Sequence, residues 1–244
     1  MCRAFELAGA RVDLVHLDRL CARPEHLDAY DLIGFPGGFS YGDDIASGRI
    51  FAARVRRYLW HALRRALDRG VPMIGVCNGF QVMVQAGLLP GPAAASDWPD
   101  EPPTPTIGLA LNDSARFIDR WVGVAPDPAS PCIWTADLDP YAPADDMLLP
   151  VANGEGRVVT DDFEPLARAG HIALRYTEPV NGSAGDIAGV CDASGRVFGL
   201  MPHPDRYLAW THHPYWTRLG AREGDTPGLA MFRSAVVAAG ALHV

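Results

Sequence analysis

The sequence predicts an α/β fold, a mostly parallel sheet flanked by helices, on three observations. Short apolar runs alternate with helix-period segments between residues 31 and 86, the rhythm of right-handed βαβ units. One apolar run passes through Gly75-Val76-Cys77-Asn78-Gly79 straight into a helical segment, the form of a strand-to-helix elbow. A chain of 244 residues, 48% hydrophobic and 20% charged, can also bury one large core, so a single domain spanning 1–244 is expected.

Residues 3–9, RAFELAG, read as the last two turns of a helix stopped at Gly9. A βαβ unit needs a strand before that helix, so the first strand is expected to be missing. Residues 11–17 carry Val12, Leu14 and Leu17 and predict a strand; residues 31–35 predict another, ending in Pro36-Gly37-Gly38. Between 51 and 69, Phe51, Val55, Leu59, Ala62 and Ala66 recur at helical spacing, Gly70 supplies a stop, and Arg64, Arg65 and Arg69 suit the negative helix end. A buried strand at 71–76 leads through the elbow into a helix at 80–86, closed by Gly87. Six prolines mark 90–105 as a surface loop within the domain. Further strands are expected at 171–177, 186–191 and 196–201. The last two are joined by Asp192-Ala193-Ser194-Gly195, a hairpin-turn composition, and a helix is expected at 226–239.

The net charge of −8 and the lack of a dense Lys/Arg block argue against nucleic-acid binding. Arg54, Arg56, Arg57, Arg64, Arg65 and Arg69 fall at helical spacing and read as a solvated helix face. No apolar run approaches the ~18 residues that span a bilayer and no signal peptide opens the chain, so no membrane partner and a cytoplasmic location are expected. Five scattered cysteines without a CxxC pair are the usage of a reducing compartment and suggest no metal site.

Chemistry concentrates in three segments. In G-x-nucleophile-x-G the flanking glycines allow close approach of neighbouring elements, and the sharp turn pushes the Cys77 side chain over the carboxyl end of the sheet. The Asn78 N–H then points at the same spot as an oxyanion donor, and a helix N-terminus favours a thiolate. Cysteine is often just a small buried residue; the elbow on both sides favours the nucleophile here, whereas Cys132 and Cys191 lie among apolar residues and read as core. His203, in Met-Pro-His-Pro-Asp-Arg after an apolar strand, is the best base, with Asp205 placed to orient it. By itself that pair reads more readily as a loop histidine beside a solvated carboxylate. His212 and His213 read as packing or surface residues. The Gly-rich segment 34–44 lacks the lysine and spacing of a phosphate loop, and its better use is to turn backbone N–H groups toward an oxyanion.

Together these segments resemble the class I (triad) glutamine amidotransferases, and among them the glutaminase subunits and domains of phosphoribosylformylglycinamidine synthases. PGGFSYGDDIASGRIFA (36–52) resembles that family's oxyanion segment, GVCNGFQ (75–81) its nucleophile elbow and MPHPDR (201–206) its histidine-bearing strand end. LNDSARFIDRW (111–121), NGEGR (153–157) and the run from 181 to 204 resemble further family segments, so the likeness covers nearly the whole chain outside the proline-rich loop. The resemblance implies a flavodoxin-like class I amidotransferase fold and hydrolysis of L-glutamine through a Cys77 thioester. Gly38 and Asn78 would be oxyanion donors, His203 the proton carrier and Gln81 a contact to substrate glutamine. It also implies that ammonia passes to a large synthetase subunit, joined in many bacteria by a small third protein. No cofactor would belong to this subunit, ATP and magnesium being used by the synthetase. Two departures carry consequences: the family usually has Glu where this chain has Asp205, which predicts a longer bond to His203, and it begins with a strand and a PGTNCD-like turn before the helix that here starts at Arg3. A non-catalytic docking scaffold of the same fold, or a stand-alone cysteine hydrolase, remain as alternative readings.

Overall fold

The computed structural model describes residues 1–43, 45–94 and 96–240; Asp44 of the Gly-rich segment and Ala95 of the proline-rich loop lie outside the described residues. The chain runs through α1 (Cys2–Leu7), α2 (Leu17–Ala22), β1 (Ile33–Phe35), α3 (Arg49–Arg54), α4 (Trp60–Asp68), β2 (Met73–Val76), α5 (Asn78–Ala86), β3 (Gly108–Leu111) and β4 (Ile118–Pro126). It continues with β5 (Leu148–Asn153), β6 (Glu155–Val159), α6 (Glu164–Arg168), β7 (Ile172–Tyr176), β8 (Ile187–Cys191), β9 (Val197–Leu200) and α7 (Pro227–Ala238). A single π-helical turn, Val55–Leu59, joins α3 to α4, so the helix predicted at 51–69 is one helical stretch.

Seven strands form the main sheet in the order β1-β2-β9-β8-β7-β4-β5, and β3 and β6 form a separate antiparallel pair. Strands β1, β2 and β9 are parallel, with Gly75 beside Phe35 on one side and Gly199 on the other. The pairings from β9 onward to β5 are antiparallel, so the sheet is mixed where the strand–helix–strand rhythm predicts a mostly parallel one. The Asp192–Gly195 turn explains the first reversal, because a loop that short joins only antiparallel neighbours. The Asp192 carboxylate accepts from Val197 N at 2.9 Å and from Ser194 Oγ at 2.7 Å, which closes it.

Strand direction fixes where chemistry can sit. Two successive reversals make β7 run with β9, and two more make β5 run with β7. Five strands therefore end at one rim, in Phe35, Val76, Leu200, Tyr176 and Asn153, and such a rim is where open α/β sheets bind ligands.

The core explains why these segments order. Every residue of β2, β8 and β9 is buried, the continuous apolar character of strands covered on both faces. Helix α5 is buried along nearly its whole length, and α7, capped by Thr226 accepting from Leu229 N at 3.2 Å, buries Leu229, Met231, Phe232, Ala235 and Val236. Helix α1 is held by Phe5, whose ring meets Phe232 edge-on at 5.0 Å; burying such a side chain contributes roughly 1.5–3 kcal/mol.

Two expectations are corrected. Residues 11–17 form no strand, and α2 begins at Leu17. Their alternation is real, but a strand needs a neighbour: β1 is the edge of the sheet, bonded to β2, and Leu14 is 84% exposed. The arginines of the long helix are not all solvated either. Arg56 donates to the carbonyls of Ala86, Pro102 and Pro103 at 2.8–3.1 Å, and Arg64 pairs with Asp100 at 2.8 Å, so this face clamps the proline-rich loop. Among the described residues no helix is long and apolar enough to cross a membrane.

Candidate active site

The elbow is set by close approach. A Cβ on Gly79 would overlap the Phe35 carbonyl oxygen, and one on Gly75 would overlap Met83 and Gly79, so β2 can turn into α5 this tightly only with glycine at both places. Between them Cys77 holds φ 52° and ψ −109°, a backbone conformation that L residues rarely adopt and that costs on the order of 1–3 kcal/mol. The Cys77 N–H donates to Leu200 O at 2.8 Å, tying the nucleophile to the strand that carries the histidine. Its Sγ lies 3.6 Å from Ala152 O, at the end of β5.

His203 and Asp205 follow β9 in a loop with two anchors. His203 N–H donates to Pro150 O at 2.7 Å, and α7 packs so closely that a Cβ on Gly228 would overlap the carbonyls of Pro204 and Tyr207. Gly37 sits between histidine and cysteine: a Cβ there would stand 2.9 Å from His203 Cε1 and 3.5 Å from Cys77 Cβ. Burial works to lower the pKa of His203, but Asp205 and Cys77 outweigh it and raise the ring to about 9. The ring is therefore an imidazolium at neutral pH, a proton source poised beside the sulfur.

His203 Nδ1 lies 3.4 Å from Asp205 Oδ1, an ion-pair distance without the alignment of a hydrogen bond, and Oδ1 has no other partner among the described residues. The long contact is what an aspartate in place of glutamate predicts. The Met1 ammonium meets the other carboxylate oxygen at 3.1 Å. Burial works to raise the Asp205 pKa; the two cations prevail and hold the carboxyl below its ordinary range.

Gly38 adopts φ 137°, which only glycine takes readily, and open space surrounds its α-carbon. The strap continues through Tyr41, Gly42 and Asp43, all left-handed, and its far end is pinned. Gln85 Nε2 donates to Ser47 O at 2.7 Å, Ser47 N to Glu155 Oε2 at 3.4 Å, and Ser47 Oγ to Asp43 Oδ2 at 3.0 Å. Asn78 opens α5 directly after Cys77, where the first helical N–H groups lack partners within the helix.

The fold thus brings together Cys77, His203 and Asp205, with Gly37 and Gly38 alongside. Gln81 is engaged elsewhere: its amide accepts from Asn78 Nδ2 at 3.0 Å and donates to Glu155 O at 2.5 Å, linking the elbow helix to β6. Sequence reasoning missed the part played by Glu155 and by the end of β5, for which the only signal is the NGEGR segment. His213 is a packing residue, buried with Nε2 2.6 Å from Asp145 O. Among the described residues no group of three or more His, Cys, Asp or Glu gathers as a metal site.

The chain is similar to known proteins over nearly its whole length. The model of the CobB/CobQ-like glutamine amidotransferase domain matches residues 1–237. The chain is 39% identical to the phosphoribosylformylglycinamidine synthase subunit PurQ of Dehalococcoides mccartyi, over 96% of this chain and 89% of that one. It is 34% identical to the PurQ subunit of Archaeoglobus fulgidus over the same shares. Among solved structures it is similar to PurLQS from Thermotoga maritima, with a TM-score of 0.72 and 32% identity over 97% of this chain and 90% of that one.

Proposed function

The chain belongs to the glutamine amidotransferase family, and from that premise we propose that it is the glutaminase subunit of a phosphoribosylformylglycinamidine synthase of purine biosynthesis. It hydrolyses L-glutamine to glutamate and ammonia. The observation that carries this reading is the Cys77–His203 pair, a nucleophile on a strained elbow beside an imidazolium raised to about 9.

Cys77 Sγ attacks the side-chain carboxamide carbon of glutamine, and the carbonyl electrons move onto oxygen, where the N–H groups of Gly38 and Asn78 receive the charge. His203 gives its proton to the departing nitrogen, the C–N bond breaks, and ammonia leaves a thioester on Cys77. The neutral ring then takes a proton from water, hydroxide adds to the thioester carbon, and glutamate departs as the thiolate re-forms. Asp205 keeps the ring oriented through Nδ1, and Gln81 holds Asn78, hence the donor that follows the nucleophile.

Ammonia is handed to a large synthetase subunit, with a small third protein in the assembly, a reading that the likeness to PurLQS of Thermotoga maritima supports. Phe39, Ile45 and Phe117 stand exposed by 67%, 65% and 54%, apolar surface suited to being covered by a partner. ATP and magnesium act on the synthetase, and this subunit needs no cofactor; the complex works in the cytoplasm.

The test is chemical. A glutamine-derived diazo-ketone should alkylate Cys77, located by mass spectrometry, with free glutamine suppressing the adduct and Cys77→Ala abolishing it. No adduct on folded protein, even with the synthetase present, would overturn catalysis and leave a docking scaffold.

A further inference from the structure

The strap after Gly38 is held in an unfavourable shape by a contact that the mechanism above leaves unused. Tyr41 and Asp43 take φ 56° and 54°, left-handed values that non-glycine residues avoid, and Gly42 between them is left-handed too. Backbone of that kind persists only where its surroundings hold it. The Gly42 N–H donates to Phe39 O at 3.1 Å, which folds 39–42 into a tight turn directly after Gly38. At the far side of that turn Ser47 Oγ donates to Asp43 Oδ2 at 3.0 Å. Asp43 Oδ1 has no partner among the described residues, so one bond is the whole hold on this carboxylate.

Ser47 is built as a fixed post. Its N–H donates to Glu155 Oε2 at the start of β6 at 3.4 Å, and its carbonyl accepts from Gln85 Nε2 of α5 at 2.7 Å. The next residue, Gly48, lies so close to α5 that a Cβ there would stand 3.1–3.3 Å from Val82 and Gln81. These backbone anchors do not involve the hydroxyl, whose one task is Asp43. The strap has a second tie on its exposed side, where Tyr41 Oη accepts from Arg54 at 2.9 Å. Arg54 also pairs with the exposed Asp18, and surface contacts of this kind contribute little. Helix α5, to which the post is fixed, opens at Asn78. The Ser47 hydroxyl therefore sets the strap against the helix that carries the other proposed oxyanion donor.

We infer that Ser47 is a positioning residue for this site: its hydroxyl holds Asp43 and, through the 39–42 turn, fixes the direction of the Gly38 N–H relative to that of Asn78. Two donors stabilise one developing charge only when both meet the same oxygen, so a strap released at Asp43 loses rate before it loses substrate.

The inference rests on the glutaminase reading, and one experiment separates the two. Glutamate release is measured in the complex with the synthetase for wild type, Ser47→Ala, Asp43→Ala and the double variant, with kcat and KM resolved. Tm and the rate of Cys77 alkylation by iodoacetamide are followed beside it. Ser47→Ala should lower kcat about tenfold with KM for glutamine little changed. Alkylation should keep its wild-type rate, because the elbow presents the thiol. The double variant should fall no further than Asp43→Ala alone, since both changes remove one bond. A wild-type kcat in Ser47→Ala, or losses that multiply in the double variant, would overturn the positioning role and leave the glutaminase reading standing. A lower Tm with unchanged turnover per folded molecule would also overturn it, by showing a purely structural bond. No glutamate from the wild-type complex would overturn the glutaminase reading, and this role with it.

Discussion

The elbow at 75–79 and the strap at 36–48 serve the same thiol, and almost nothing in their construction is shared. The elbow is buried on every side, its glycines filled to contact by Phe35 and Met83, and its one strained residue is the nucleophile. The strap exposes Phe39 and Ile45 and carries three left-handed residues in a row, and Ser40 Oγ and Asp43 Oδ1 are buried without partners among the described residues. It is pinned at Ser47 and Gly48 to α5, and before that the Tyr41 hydroxyl accepts from Arg54 at 2.9 Å. Packing over-determines the half that must present sulfur at one angle. The half proposed to receive an oxyanion carries left-handed residues and unmade bonds, as segments at functional sites often do. Substitutions in the first should therefore cost stability, and substitutions in the second should cost rate.

The largest expected effect is at Gly79. A methyl group there overlaps the Phe35 carbonyl, and neither β1 nor α5 can retreat without opening the core. Gly79→Ala should cost about 3 kcal/mol or more in urea denaturation, and a midpoint like that of wild type would break the contrast.

The same contrast explains what could be read from the chain alone. Local devices were legible: Gly-x-Cys-x-Gly specifies its own turn, Asp192–Gly195 closes a hairpin through its own side chains, and residues 226–239 carry a capped helix within their own pattern. Features that depend on a neighbour were not. Residues 11–17 alternate correctly and still make no strand, because no strand lies beside them. Strands β3 to β6 are short or broken by Gly, Asp and Pro, and they order through pairing over long sequence distances. Arg56 looks like a surface residue in a helical pattern; only the proline-rich loop folding onto it makes it a clamp. Glu155 meets Ser47 and Gln81 through contacts across more than 70 residues of sequence, which the NGEGR segment signals only by resemblance.

Gly38→Ala should give the opposite signature to Gly79→Ala. The new Cβ meets nothing within 4 Å, so the strap can relax with a loss of roughly 1 kcal/mol or less. An alanine leaves φ 137°, however, and the N–H that the proposed mechanism assigns to the oxyanion turns with it. Glutaminase turnover in the complex should fall on the order of 10²-fold with KM little changed. Wild-type turnover would show that Gly38 donates nothing to the oxyanion and that the strap's strain serves another purpose.

The smallest expected effect separates the two halves most finely, because it asks whether the charged pair exists without the strap. His203 titrates at about 9 in the fold against an ordinary 6.5. A raised pKa means that the folded state binds the proton more tightly. The stabilisation is complete below pH 6.5 and disappears as pH climbs through 9, an effect on the order of 2 kcal/mol at neutral pH. The ring Cε1–H resonance should show the midpoint directly. Cys77→Ala should lower it, because one of the two groups holding the imidazolium is gone, while the Asp205 share persists. Gly38→Ala should leave it where it is. A midpoint that falls equally in both variants would mean that the strap, too, holds the imidazolium, and that the two halves are one electrostatic unit.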